Sequence, residues 1–77
     1  SEALARQVVD VVQRLRASGE LVKPPGVAET LDWALALDRL GCADLRFDVA
    51  AASLGALVKY REDADRVRDS LKRLVEP

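Results

Sequence analysis

The sequence predicts an all-α fold, a compact four-helix bundle, and three observations carry that expectation. Leu, Val and Ala supply most of an apolar content of 49%, whereas the aromatic residues are only Trp33, Tyr60 and Phe47. Such a composition suits helices packed through aliphatic stripes better than a β-sandwich, which draws on β-branched and aromatic residues. Apolar residues recur at three- and four-residue spacing in four separate stretches, the signature of amphipathic helices. Gly19, Pro24, Pro25, Gly26 and Gly41 fall between those stretches, where chain breakers belong. With 77 residues the chain is read as a single domain, 1–77, small enough to bury only about 60% of its unfolded surface.

The first helix is expected from Glu2 to Ala17, with Leu4, Val8, Val11, Val12 and Leu15 on one face. Ser1 is its natural N-cap and Gly19 its stop, since a left-handed residue ends a helix most cheaply as glycine. Glu2 with Arg6 and Asp10 with Arg14 stand in the favourable i,i+4 order, each pair contributing about 0.2–0.5 kcal/mol. The connector Gly19 to Gly26 contains two prolines, which remove two N–H donors and drive Lys23 towards an extended conformation. It reads as a stiff arm, with Leu21 and Val22 tucked against the bundle.

The second helix is expected from Val27 to Leu40. Gly26 serves as N-cap, and Glu29 falls where a carboxylate reaches back to the cap N–H and favours the positive helix end. Val27, Leu31, Ala34, Leu35 and the run Leu37 to Leu40 spread apolar residues around much of its circumference, which predicts the most buried helix of the four. A loop from Cys42 to Arg46 leads to a third helix over 48–60, capped by Asp48, with Val49, Ala50, Leu54, Leu57 and Val58 inward. Ala50, Ala51, Ala52 and Gly55 are small enough for a neighbouring helix to approach closely. The fourth helix, 62–75, carries an apolar stripe of Ala64, Val67, Leu71, Leu74 and Val75. Its charged face offers Arg61–Asp65, Glu62–Arg66 and Asp69–Arg73 as solvated i,i+4 pairs.

Charge and chemistry exclude more than they assign. Twelve basic and thirteen acidic residues leave a net charge of −1 with both signs interspersed, which suits neither a phosphate backbone nor an acidic tail and argues against DNA or RNA as partner. There is no histidine, and Cys42 is the single cysteine, so neither a zinc cluster nor an internal disulfide is expected, and Cys42 reads as a small loop hydrophobe. No apolar run reaches the roughly 20 residues of a membrane span, and no signal-peptide pattern opens the chain; the expected compartment is the cytoplasm. Ser53 and Ser70 have no histidine to activate them, and no glycine-rich phosphate loop is present. The chain itself is therefore not expected to be an enzyme. It starts at Ser1 and contains no methionine, which points to a piece of a larger protein.

Three strings carry a resemblance. The first is Lys23-Pro24-Pro25-Gly26-Val27-Ala28-Glu29-Thr30-Leu31-Asp32-Trp33-Ala34, and the second is Leu54-Gly55-Ala56-Leu57-Val58-Lys59-Tyr60-Arg61-Glu62-Asp63. The third pairs Ala5-Arg6-Gln7-Val8 with Val12-Gln13-Arg14-Leu15-Arg16. In this order they resemble the C-terminal lid of MoxR-like AAA+ ATPases, in the branch associated with carbon monoxide dehydrogenase maturation, over nearly the whole chain. The resemblance implies a helical lid that follows an α/β nucleotide-binding subdomain holding the Walker motifs, sensor 1 and the arginine finger. ATP and Mg would then belong to the parent protein, with no cofactor in this part. The lid would close over the nucleotide and pack against neighbouring subunits of a homo-oligomeric ring. That motion would drive maturation of a metal-containing client enzyme, in company with a protein carrying a von Willebrand factor A domain.

The same resemblance makes Lys23, Pro25, Gly26, Val27 and Ala28 nucleotide-facing, and makes Trp33, Lys59, Tyr60 and Arg61 contacts to the large subdomain or a neighbour. Many relatives have an arginine, sensor 2, at the position of Ala28. Its absence leaves either no sensor 2 or a substitute cation such as Lys23. The helix start still offers free N–H groups to anions, although Glu29 already occupies that positive end. Residue chemistry alone gives Trp33 a packing role, Lys23 an exposed one, and Lys59, Tyr60 and Arg61 the role of a helix end with favourable cations. A stand-alone helical interaction module unrelated to ATP is the alternative function, since adaptor bundles share the amphipathic pattern.

Overall fold

The computed structural model describes residues 1–75; the last two positions of the expected 1–77 domain lie outside the described residues. Helices α1 (Glu2–Ser18), α2 (Val27–Arg39), α3 (Phe47–Ala52) and α4 (Arg61–Val75) follow in order, with a 3₁₀ turn at Leu54–Ala56 between the last two. No strand occurs among the described residues. The fold is all-α, with four helices around one core.

The α1 stripe is buried residue for residue: Leu4, Val8, Val11, Val12 and Leu15 all belong to the core, at about 1.5–3 kcal/mol for each such side chain removed from water. The Ser1 hydroxyl accepts the Leu4 N–H at 3.0 Å and donates to the Ala43 carbonyl at 3.0 Å, so the cap also ties the α2–α3 loop to α1. Gly19 closes the helix at φ 69°, the left-handed region that only glycine occupies without strain. Arg6–Glu2 and Arg14–Asp10 form as expected, at 2.6 and 3.1 Å, both exposed.

Helix α2 departs from expectation. Only Trp33 and Leu37 are buried on it, while Val27, Leu31, Leu35 and Leu40 are 78%, 59%, 52% and 60% exposed. It is not the most buried helix. Neighbours cover it on the Trp33–Leu37 side alone, and the apolar residues opposite face outwards. A wide apolar arc licenses burial but cannot supply a neighbour for both sides in a bundle of this size.

The expected 48–60 helix is also revised. Helix α3 begins one residue earlier, after Arg46, so Asp48 lies in its first turn and is not the cap. It stops at Ala52, because the Ser53 hydroxyl donates back towards the Val49 and Ala50 carbonyls at 2.8 and 3.1 Å, and the Ser53 N–H is shared between the same two groups. Such back-bonding competes with helix continuation. The 3₁₀ turn that follows tightens the chain and buries Leu54, Leu57 and Val58 together. Gly55 is exposed and a Cβ there would meet nothing within 4 Å, so it is not a point of close helix approach, whereas Ala50 is wholly buried.

Helix α4 buries Val67 and Leu71 and half-buries Ala64, Leu74 and Val75. Asp63, one turn before Val67, is buried as completely as they are. The ion pairs of α4 among the described residues are Arg66–Asp63 at 4.0 Å and Arg68–Asp65 at 3.8 Å, in place of the i,i+4 set expected. Arg66 is drawn instead to the Glu20 carbonyl at 2.8 Å.

Candidate functional site

The connector between α1 and α2 is fastened from both sides. Its backbone bends at Val22 and Lys23, so Lys23 is not in the extended run expected, and without a ladder of its own its N–H and C=O groups require partners elsewhere. Asp63 of α4 supplies two: Oδ1 accepts the Val22 N–H at 2.8 Å and Oδ2 the Lys23 N–H at 2.9 Å. Arg66 donates to the Glu20 carbonyl, and Arg16 of α1 donates to the Pro25 carbonyl at 2.9 Å. Leu21 and Pro25 are buried beneath the arm, whereas Val22, expected inside, is exposed.

At the end of the arm the chain turns into α2. The Gly26 N–H donates to Glu29 Oε1 at 2.8 Å, and the Thr30 hydroxyl donates to the Gly26 carbonyl at 2.6 Å. Gly26 itself is extended, so its backbone does not require glycine. A Cβ there would stand 3.0 Å from Glu29 Oε1, the free end of a side chain that yields by a few tenths of an ångström to admit it. The Gly26 N–H holds the Glu29 carboxyl below its usual pKa against the opposing effect of burial, and the Lys23 and Lys59 ammonium groups add smaller pushes in the lowering direction.

Lys23, Pro24 and Pro25 from the arm, Glu29 from α2, and Leu57 and Lys59 from the segment before α4 line one shallow nook. Two groups of residues singled out separately in the sequence thus meet in one corner. Tyr60 and Arg61, at the start of α4, are exposed beside it, and so are Val27 and Ala28. Val27 also borders a groove of about 480 Å³ between α1 and α2, with Val9, Val12, Gln13, Arg16 and Leu31. Trp33 does not belong to this surface. It is fully buried, and its indole N–H donates to the Ser53 hydroxyl at 2.8 Å, so it is a core residue and presents nothing to a neighbour.

Chemically, the corner combines two ammonium groups and a positive helix end around one carboxylate. That arrangement attracts an anion only in competition with Glu29. Ala28 contributes a methyl group and no cation. Among the described residues no group of three or more His, Cys, Asp or Glu could hold a metal ion, and no helix is long and apolar enough to cross a membrane.

Sequence reasoning missed Asp63, the residue that organises the corner. Its position was a usable signal: it stands four residues before Val67 and eight before Leu71, on the apolar stripe, where a carboxylate must find buried donors. Comparisons with protein-family patterns, with curated proteins and with solved structures give no match.

Proposed function

We propose that this chain is the non-catalytic C-terminal lid of a MoxR-like AAA+ ATPase in the branch associated with carbon monoxide dehydrogenase maturation. One observation supports the reading beyond the strings themselves. The Lys23–Ala34 and Leu54–Asp63 strings, far apart in sequence, bind each other directly through the Lys23 N–H and the Asp63 carboxylate. Residues that resemble one family's pattern thereby build one corner of the molecule.

In this reading the corner at Lys23–Ala28 faces a nucleotide held, with Mg, by an upstream α/β subdomain. Ala28 carries no charge, so Lys23 and Lys59 are the cations available to the phosphates in place of a sensor 2 arginine, each as a point charge. The fastened arm makes lid and connector one body, so closure over ATP reaches the far helices as a rotation. A cytoplasmic homo-oligomeric ring then passes that rotation to a metal-containing client, with a von Willebrand factor A domain protein as adaptor. The test has two parts. The reading frame that encodes this chain carries a phosphate-binding loop upstream, within a domain of about 200 residues; and the purified 77-residue chain folds without turning over ATP. ATP hydrolysis by the chain alone overturns the proposal, as does an upstream frame without that loop.

The second reading is a stand-alone helical interaction module, and the exposed apolar face of α2 favours it. The same frame separates the two, because a phosphate-binding loop upstream removes the module and its absence removes the lid.

A further inference from the structure

One edge of the outward face of α2 has its charges arranged for a copy of itself. Leu31 and Leu35 stand one turn apart on the side away from Trp33 and Leu37, each more than half exposed. Along one edge of that strip run Asp32 and Arg39, both exposed. Seven residues separate them, close to two full turns, so they share one line on the helix. Among the described residues neither has an ion-pair partner.

We propose that α2 pairs antiparallel with the α2 of a second copy of this chain, about a two-fold axis beside Leu35. Reversing the helix sets Asp32 against the partner's Arg39 and, by the same symmetry, Arg39 against the partner's Asp32. A two-fold interface repeats each contact in this way, so one docking geometry satisfies four otherwise unpaired charges. Parallel pairing puts the two Asp32–Arg39 edges on opposite sides of the interface, where they do not meet. Between the charges Leu35 meets the partner's Leu35, and on the other edge Leu31 lies against the methylene of the partner's Asp38, which is exposed and seven positions after Leu31 on the same line. The 13 residues of α2 give a contact about 20 Å long, at the small end of protein interfaces. The pairing is therefore weak and reversible. It concerns this chain alone and is independent of the ATPase reading.

Sedimentation equilibrium of the 77-residue chain tests it between about 10 μM and about 1 mM. The apparent mass is expected to rise from 8.4 kDa towards twice that value with concentration. Asp32→Arg and Arg39→Asp, each creating two like-charge contacts, are each expected to weaken association by about tenfold or more. An equimolar mixture of the two variants restores it, because every mixed pair again sets opposite charges together twice, and a variant that merely failed to fold would not be rescued. Leu35→Glu abolishes association at unchanged helix content. A chain that stays at 8.4 kDa throughout overturns the proposal, as does a mixture that associates no better than either variant alone.

Discussion

Asp63 holds Lys23 by its backbone: Oδ2 accepts the Lys23 N–H at 2.9 Å while Oδ1 takes the neighbouring Val22 N–H at 2.8 Å. The carboxylate is fully buried. Its contribution is to satisfy two donors that the diproline arm leaves without secondary structure. Hydrogen bonds to a charged group contribute about 1.5–3 kcal/mol, and an orphaned donor costs about 1–3. Asp63→Ala is therefore expected to destabilise the chain by about 2–4 kcal/mol, read as a lower urea midpoint. Asp63→Asn keeps the shape but accepts through one oxygen only, so its loss is smaller than that of Asp63→Ala.

The Trp33–Ser53 bond makes a second prediction. Ser53→Ala leaves the buried indole N–H without an acceptor, at a cost of about 1–3 kcal/mol. In a Trp33→Phe background, where no N–H remains to satisfy, most of that cost disappears. The double-mutant cycle measures the difference directly. An unchanged Ser53→Ala cost in the Phe background assigns the serine's role to ending α3 instead.

The two sides of α2 predict opposite sensitivities. Leu37→Ala removes a wholly buried side chain and is expected to cost about 2–5 kcal/mol. Leu31→Ser changes an exposed position and is expected to stay within about 0.5 kcal/mol of the parent at low protein concentration. Thermal denaturation of the two variants side by side checks which face is inside.

Glu29 predicts one component of the acid limb. Its folded pKa lies below the unfolded value of 4.5, chiefly because the Gly26 N–H is donated to the carboxylate. A depressed carboxyl contributes stability that is fully present above the unfolded pKa and is lost as pH falls through the folded one. Glu29→Gln is thus expected to lower the melting temperature at neutral pH. The gap to the parent should close as pH drops from about 5 towards 2. A gap that stays constant over that range shows that the ionised form contributes nothing.

Periodicity carried the core of α1 completely, because five apolar residues at helical spacing leave one possible inward face. It carried less of α2, where apolar residues surround the helix and only the placement of the other three decides that Trp33 and Leu37 go in while Leu31 and Leu35 stay out. The break after Ala52 was hidden in Ser53, whose hydroxyl bonds the preceding turn in a way that spacing does not record. In the candidate corner, the capping bond between Gly26 and Glu29 was legible from the three-residue interval alone. The meeting of Lys23 with Lys59 was not, since it depends on Asp63, one acidic residue among several on α4, reaching across 40 positions.

That reach fixes when the arm becomes ordered. The Val22 and Lys23 amides find their acceptor 41 and 40 residues later in the chain, so neither can be protected until α4 has docked. Closing so long a loop costs entropy that local contacts cannot offset. Under native conditions these two amides should therefore exchange with deuterium at the pace at which α4 detaches, slower than the amides at the outer ends of α1. The proline-rich segment joining the first two helices is thus expected to lock only once α4 is in place, although its sequence precedes most of the molecule.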